Sequence, residues 1–350
     1  MARSACVCAL MLLAASGSAD SHAPEPDPPI TCAARSVVHW IRGPREDVSK
    51  LDEWCRGVGV PLYQPAPVSS HEPPTLHDLA VVTWNAHLGE GRLETLIAAL
   101  RRGAFTEGAP VSHFVLLLQE LFRRDEVPAF GTDARSARAI RARDDDALDA
   151  RDYAQRLGLS MLYVPSMRNG SDLREDRGNA IFSTEPLSQP VAFELPLERQ
   201  RRVAVAAAVD VMHEGRRSAL RIVNMHLEPL SAPQSLWVFR NPRQRQMAAL
   251  LHLLRASRFE DDVAWVGTIV GGDLNTVKNG ADESVYRHAR AWSSGFVRED
   301  RRATHLLGRL DYLFFRLAPG LEAATRRIDE RFGSDHHPVL GRVTLVKAEE

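Results

Sequence analysis

The amino-acid sequence predicts an α/β fold in which two packed β-sheets are flanked by helices. The chain has 350 residues, of which 44% are hydrophobic and 25% charged, the composition of an ordinary globular protein. From Leu79 onward, many short apolar, β-branched runs alternate with a few amphipathic segments, a pattern typical of sheets covered by helices. The length allows one large domain or two small ones, and no internal repeat is evident.

Residues 1–19 predict a secretory signal peptide. Arg3 supplies a short positive segment, Ala5–Ala15 is apolar, and the small residues Gly17 and Ala19 have the spacing of a signal-peptidase site. The apolar stretch is too short to span a bilayer, which requires about 20 apolar residues. We expect no transmembrane segment elsewhere, and therefore a secreted or periplasmic protein.

Residues 20–77 form a predicted N-terminal extension without evident chemistry of its own. The stretches His22–Ile30 and Pro61–Pro74 are rich in proline and are expected to be extended linkers. Cys32 and Cys55 are the only cysteines left once the signal peptide is removed. In an exported protein such a pair predicts one disulfide bond, which can stabilise the fold by about 3 kcal/mol.

Residues 78–350 are expected to form the main domain. Its candidate strands are Leu79–Trp84, Phe114–Gln119, Ala180–Ser183, Val203–Val211, Leu220–Asn224, Val266–Val270, Leu310–Phe315 and Val339–Leu345. The candidate helices of the chain are Glu46–Trp54, Arg92–Arg102, Arg243–Arg255 and Glu283–Trp292. The mixed-charge stretch Ala134–Arg151 is interpreted as a solvated helix or a mobile loop.

Polar side chains stand at the end or the start of most predicted strands. They are Asn85, Glu120, Asn224, His226, Asp273, Asn275, Asp311, Asp335 and His336. Core packing does not explain why a single polar residue follows or precedes each buried strand. If the strands alternate in direction, their ends and starts meet on one rim, where these groups would converge in a single cleft.

Taken singly, each of these residues also has an ordinary explanation. Glu120 suits a solvated strand terminus, Asn85 a turn, and His226 a satisfied core histidine. The adjacent acid and imidazole of Asp335 and His336 are more specific, because they suit both metal binding and proton transfer. The whole set in this order is far more specific than any member.

The set resembles the endonuclease/exonuclease/phosphatase superfamily of metal-dependent phosphodiesterases. The matching motifs are Thr83-Trp84-Asn85, Gln119-Glu120, Arg177-Gly178-Asn179-Ala180, Asn224-Met225-His226-Leu227, Gly272-Asp273-Leu274-Asn275-Thr276, Leu310-Asp311-Tyr312 and Ser334-Asp335-His336-His337-Pro338-Val339. The resemblance covers roughly residues 78–346 and leaves out the N-terminal extension. It implies a DNase-I-like, four-layered α/β/β/α sandwich of two mostly antiparallel sheets with helices outside.

Read with this resemblance, three residues are candidate metal ligands. Glu120 is the best ligand, Asn85 supports it, and Asp335 is the third oxygen donor. A hard cation such as Mg²⁺ prefers oxygen ligands and keeps several waters. Mg²⁺ is therefore the expected cofactor, with Mn²⁺ or Ca²⁺ as alternatives.

The other residues have candidate roles in the reaction. His336 is the candidate general base, with Asp311 orienting its ring, and Asp273 positions or helps to activate the attacking water. Which of His336 and Asp273 activates the water stays open at this point. The remaining candidates bind phosphate oxygens or donate to the leaving group: Asn224, Asn275 and His226.

The leading hypothesis is a divalent-metal-dependent phosphodiester hydrolase, with nucleic acid slightly favoured as substrate. A phospholipid headgroup, as in a sphingomyelinase, and a phosphomonoester are the alternatives. The formal net charge of −1 lacks the excess positive charge that is typical of tight nucleic-acid binding, although it allows nucleic acid as a transient substrate. A non-catalytic binding member of the same fold is a minor alternative, because the acids are all present. We expect a monomer without a stable protein partner.

Overall fold

Strands make up most of the structure, a computed structural model that describes residues 37–65, 72–124, 147–168, 175–229, 241–256, 264–276 and 284–345. The strands are β1 (His39–Ile41), β2 (Leu62–Gln64), β3 (Leu79–Asn85), β4 (His113–Arg124), β5 (Ser160–Arg168), β6 (Glu175–Ser183), β7 (Leu187–Glu194), β8 (Val203–His213), β9 (Arg216–His226), β10 (Trp265–Asp273), β11 (Val297–Arg298), β12 (Asp311–Leu317), β13 (Leu321–Arg327) and β14 (Val339–Leu345). The α-helices are α1 (Val48–Arg56), α2 (Leu93–Arg101), α3 (Ala150–Leu157), α4 (Pro242–Ala256) and α5 (Ser284–Trp292).

Two sheets pack face to face and are covered by helices on their outer faces. One sheet has the strand order β1-β7-β8-β9-β10-β12, and the other has the order β11-β13-β14-β3-β4-β6-β5-β2. Apolar side chains such as Leu117 and Ile222 fill the space between them. Leu96 on α2, together with α3, covers the larger sheet, and Leu250 on α4, together with α5, covers the smaller one. This layering confirms the predicted fold class.

Strand direction brings the predicted polar residues to one end of the sandwich. β3 and β4 run parallel, as do β9 and β10. β12 runs antiparallel to β10, so Asp311 at its start pairs with Asp273 at the end of β10. β14 runs antiparallel to β3, and its first residue, Val339, pairs with Thr83. Strand ends and strand starts therefore share one rim, as the sequence predicted.

Several strands were not predicted from the sequence, and proline accounts for two of them, β5 and β7. Pro165 lies in β5 and Pro190 in β7, and each stands at an irregularity in the pairing register. Proline cannot donate a ladder hydrogen bond, so it interrupts a strand pattern and is tolerated where pairing is already irregular. β13 carries three charged residues and few β-branched ones, and its pairing with β14 decides its conformation.

The described part of the N-terminal extension adds one edge strand to each sheet. β1 pairs with β7, and β2 pairs with β5, so the segment Leu62–Gln64 of the predicted Pro61–Pro74 linker is in fact a strand. The predicted signal peptide and Cys32 lie outside the described residues, so export and the Cys32–Cys55 disulfide stay predictions. No helix in the described ranges is long and apolar enough to cross a membrane.

A buried ion pair ties this extension to the larger sheet. Asp176 on β6 accepts hydrogen bonds from Arg123 on β4 and, at 2.8 Å, from the Tyr163 hydroxyl. The backbone N–H of Gly59 also donates to Asp176 at 2.9 Å, and Arg123 donates to the carbonyl of Val60. The charges of both sheet residues are thereby paired in the interior.

Replacing Asp176 with alanine is expected to lower the free energy of unfolding by about 3–5 kcal/mol, because it removes the buried carboxylate that pairs with Arg123. The matched control is Asp210→Ala, which removes the exposed partner of Arg217, 2.9 Å away. It is expected to cost less than about 1 kcal/mol. Urea unfolding measures both, and equal losses in the two variants would contradict the prediction.

Candidate active site

Glu120 is aimed by a β-bulge near the end of β4. The pairing of β4 with β6 shifts register between Leu118 and Leu121, and Glu120 has a φ of 55°. A positive φ is uncommon for a residue with a Cβ, and bulges commonly re-aim a side chain beside an active site. The Glu120 carboxylate lies 3.9 Å from Arg177 Nη1 and 3.9 Å from His226 Nε2, and its side chain is 20% exposed. The Glu120 side chain is therefore partly exposed at the rim.

His336 and Asp311 form a buried acid–imidazole pair. His336 Nδ1 lies 2.8 Å from Asp311 Oδ2, which leaves the Nε2 atom directed away from this carboxylate. The backbone around His336 is held by Trp84, whose Nε1 donates to the His336 carbonyl at 3.1 Å. The Ser334 hydroxyl accepts from the His336 N–H at 3.0 Å. The ring is thereby fixed by residues from three separate parts of the chain.

Asp273 lies at the centre of the cluster. Its Oδ2 accepts from Asn85 Nδ2 at 3.0 Å and lies 3.6 Å from His226 Nε2 and 3.9 Å from His336 Nε2. Its Oδ1 accepts from the Asn275 N–H at 2.7 Å. Each of these partners is a residue predicted from the sequence, so Asp273 links most of the set.

The residue before Asp273 has to be glycine. Gly272 has a φ of 144°, and a Cβ there would lie 1.8 Å from the Met225 carbonyl oxygen on β9. No side chain fits so close to a neighbouring backbone. The Gly-Gly-Asp sequence therefore lets β10 approach β9 closely where Asp273 is presented.

The pKa values of the central groups are strongly perturbed. Burial raises the pKa of Asp273, and the nearby Asp311 raises it further. Burial opposes charge on His336, but Asp311 outweighs it and raises the pKa of the imidazole. His226 has its pKa lowered by burial and by Arg202 and Arg177. Carboxylates and imidazoles whose pKa values are shifted in different directions by their surroundings are typical of acid–base sites.

Asp335 differs from these buried groups because it lies nearer to solvent. Burial would raise its pKa, but the hydrogen bond from His87 and the neighbouring His336 and His305 outweigh this and lower the pKa to about 2. Its Oδ1 is 3.8 Å from His336 Nε2, and its side chain is 37% exposed. Asp335 is therefore an ionised carboxylate at the edge of the cluster.

Asn224 does not lie at the exposed rim of the cluster. Asn224 is fully buried, its Nδ2 donates to the carbonyls of Leu118 and Ala180 at 2.8 Å, and its Oδ1 accepts from Gln119 at 2.7 Å. Its amide is thus committed to hydrogen bonds between the two sheets, and the predicted contact with phosphate is corrected to a structural one. Asn275 lies at the cluster, although its Nδ2 donates to the Leu227 carbonyl at 2.9 Å.

Several site residues were missed from the sequence. His87 Nδ1 lies 3.0 Å from Asp335 Oδ1, and His305 Nε2 lies 3.3 Å from Asp335 Oδ2. Arg202 is buried, and the charges of Glu120 and Asp273 act on its guanidinium. His87 and His305 lie in loops outside the motifs quoted above, so only their proximity to Asp335 identifies them.

The donor set of the cluster fits a divalent cation. Ligand atoms of Asp273, Asp311 and His336 lie within 4.8 Å of one another, as do those of His305, Asp335 and His336. Among the described residues, Asp311 Oδ1 and Asp335 Oδ1 are buried side-chain oxygens without a hydrogen-bond partner. Glu120, near this group, adds a further carboxylate, and carboxylate-rich sets suit hard cations.

Face-to-face sheets with this carboxylate–imidazole cluster on one rim define a metal-dependent hydrolase of phosphoric esters. The chain belongs to the Endonuclease/Exonuclease/phosphatase family, whose model matches residues 82–336. Enzymes of this family cleave phosphoester bonds and typically depend on a divalent metal, and this protein is an enzyme of that class.

The similar solved structures are distant in sequence. The human Nocturnin catalytic domain with bound sulfate anion is 17% identical, with a TM-score of 0.46, over 79% of this chain and 100% of that one. Sphingomyelinase C from Streptomyces griseocarneus is 17% identical, with a TM-score of 0.43, over 75% and 98%. A family protein from Bacteroides thetaiotaomicron is 12% identical, with a TM-score of 0.46, over 77% and 98%. No significant match was found among curated proteins.

Proposed function

We propose that the protein is an exported, Mg²⁺-dependent phosphodiesterase that uses an activated water as nucleophile. The observation that carries this proposal is the convergence of Asp311, His336, Asp273 and His226 within hydrogen-bonding or near-contact distances on one rim. Such a constellation can accept a proton and donate to an anion in the same place.

The geometry suggests how the residues divide the work. His336 Nε2 and Asp273 Oδ2 are 3.9 Å apart, so one water molecule can hydrogen-bond to both, and the Asp273 carboxylate would accept its proton because the raised pKa of His336 favours a protonated ring. His226 Nε2 faces the same carboxylate and would donate to a phosphate oxygen. Arg177 and Arg202 add positive charge beside Glu120. Glu120, Asn85 and Asp335 would hold a divalent ion, which when bound offsets the charge that develops on the phosphate.

Nucleic acid is the first substrate class that we propose. The test is a panel of plasmid DNA, RNA, sphingomyelin vesicles and a soluble chromogenic phosphodiester, each with Mg²⁺, Mn²⁺ or Ca²⁺ and each repeated with EDTA. Cleavage of DNA or RNA that EDTA abolishes supports the proposal. Hydrolysis that is indifferent to EDTA would contradict the mechanism. Activity on sphingomyelin vesicles alone would show that the substrate is a phospholipid and not a nucleic acid.

A phospholipid is the second candidate substrate, and one feature of the structure favours it. Leu306 is 84% exposed and Leu307 57% exposed at the tip of the Thr304–Gly308 turn. His305 in the same turn contacts Asp335, so the two leucines lie beside the reacting groups. Adjacent exposed leucines are suited to contact with hydrocarbon at a lipid surface.

If the substrate is a lipid, the double variant Leu306→Ser/Leu307→Ser is expected to lose at least about ten-fold in activity on vesicles, because burying one leucine is worth roughly 1.5–3 kcal/mol. Activity on the soluble chromogenic diester should not change. Leu345→Ser is the matched control, since Leu345 is 63% exposed at the far end of β14. Equal activity of both variants on vesicles would contradict a lipid substrate.

Export predicts a shortened chain with one disulfide. The protein recovered from an exporting host is expected to begin at Asp20, and its intact mass should rise by two hydrogens when Cys32 and Cys55 are reduced. Mass spectrometry before and after reduction measures both. A chain that keeps residues 1–19, or that carries two free thiols, would refute the respective prediction.

A further inference from the structure

Two imidazoles lie close to the carboxylate of Asp335, one near each oxygen. His87 Nδ1 lies 3.0 Å from Oδ1, and His305 Nε2 lies 3.3 Å from Oδ2. The two histidines come from distant parts of the chain, one after β3 and the other before β12. The His305 contact has hydrogen-bond geometry, whereas Asp335 Oδ1, although close to His87, has no hydrogen-bond partner among the described residues.

The hydrogen bonds of His305 fix its tautomer. His305 Nδ1 accepts the backbone N–H of Leu307 at 3.0 Å, so the ring proton of the neutral imidazole lies on Nε2 and points to Asp335. A nitrogen that carries a proton is a hydrogen-bond donor and not a metal ligand. His305 is therefore suited to orienting the carboxylate rather than to binding a cation itself.

The turn that carries His305 is held rigidly against the site. The Thr304 carbonyl accepts from the His337 N–H at 2.8 Å. The Thr304 hydroxyl accepts from the backbone N–H groups of Leu310 and Asp311 at 3.0 and 3.1 Å. The ring of His305 also packs on that of His336, with centroids 4.7 Å apart. Because the turn is held in this way, the His305 ring keeps its direction toward Asp335.

His87 touches two of the proposed ligands at once. Its backbone N–H donates to Asn85 Oδ1 at 2.9 Å, and its ring faces Asp335. Its φ of 45° is an uncommon conformation that places both groups toward the site. Its other nitrogen, Nε2, lies 3.7 Å from Glu90 Oε2.

We propose that the His87 and His305 rings are positioning groups that hold Asp335 in place for the divalent ion. This inference rests on the proposed metal-dependent function. Asp335 is partly exposed, and a carboxylate without these donors is free to turn away from the ion. Groups that orient metal ligands typically contribute about 10–100-fold to metal affinity.

The test compares variants that keep or remove the donor. Gln in place of His305 presents an N–H near the position of Nε2, and Asn in place of His87 presents one near Nδ1, whereas leucine presents neither. Mn²⁺ binding to the mature protein without substrate is measured by calorimetry, and the metal dependence of kcat/KM is measured alongside. We expect His305→Leu and His87→Leu to weaken Mn²⁺ binding by about 10–100-fold, and His305→Gln and His87→Asn to stay close to wild type.

Each outcome has a distinct meaning. Leucine variants that fold and bind Mn²⁺ like the wild type overturn this positioning role while the proposed function stands. A His305→Gln variant that loses as much affinity as His305→Leu also overturns it, because the ring itself would then be the ligand. Wild-type protein that binds no Mn²⁺ overturns the metal-dependent function and the positioning role together. Melting temperatures of all variants separate these results from a loss of fold.

Discussion

Replacing His336 with alanine is expected to lower kcat for phosphodiester hydrolysis by about 10²–10⁴-fold, the usual contribution of a positioned acid–base group. The Nε2 atom of His336 faces Asp273, and its Nδ1 is held by Asp311 at 2.8 Å. Alanine removes the nitrogen that contacts the attacking water in the proposed mechanism. Steady-state kinetics at saturating Mg²⁺ measures the effect, and KM is expected to change much less than kcat.

The matched control is His252→Ala, which removes an exposed histidine on α4. It should leave kcat and KM unchanged. Because the His336 side chain is buried, thermal unfolding of the His336→Ala variant has to show that the fold survives. A folded His336→Ala variant with wild-type kcat would refute the proposed role of the Asp311–His336 pair.

Replacing Glu120 with glutamine is expected to lower Mg²⁺-dependent activity by about 10²–10³-fold, comparable to the loss of other groups that stabilise charge in a transition state. The change removes a negative charge at the proposed metal position but keeps the size and polarity of the side chain. Mn²⁺ binding measured without substrate should weaken in parallel, which separates a metal ligand from a group that only contacts substrate.

Glu214 offers an unusually close control for this substitution. Glu120 and Glu214 both have a positive φ, 55° and 51°, so glutamine meets the same backbone strain at either position. Glu214 follows β8 in the turn before β9, and its side chain is 80% exposed. Glu214→Gln should retain full activity and Mn²⁺ binding. If Glu120→Gln behaves in the same way, the assignment of Glu120 as a ligand is wrong.

Much of the fold could be predicted because the relevant patterns are local. β14 coincides with its predicted range, and the runs that became β3, β8 and β10 were predicted within a few residues. β3 and most of β8 are nearly continuous apolar runs, as expected for strands buried on both faces. β5 and β7 were missed because Pro165 and Pro190 interrupt that pattern, and their partners in the sheet supply the missing order.

The candidate site was likewise predicted in part from local sequence patterns. Glu120, Asp273, Asp311, Asp335 and His336 were identified because each lies next to a predicted strand within a motif. Strand direction brings Asp273 and Asp311 together, whereas β4 continues past Glu120 to Arg124 and a β-bulge aims the Glu120 side chain. Their individual catalytic roles remain proposals, which the substitutions above are designed to test.

By itself, the sequence determined the class of fold, the family motifs and the acids and imidazole that form the cluster, because these depend on residue type and order along the chain. Only the tertiary structure decided that the Asn224 side chain makes hydrogen bonds between the two sheets, and that His87 and His305 lie beside Asp335. A side chain's hydrogen-bond partners are set by which distant segments the packing brings within about 3 Å, and the spacing of residues along the chain carries no record of that distance.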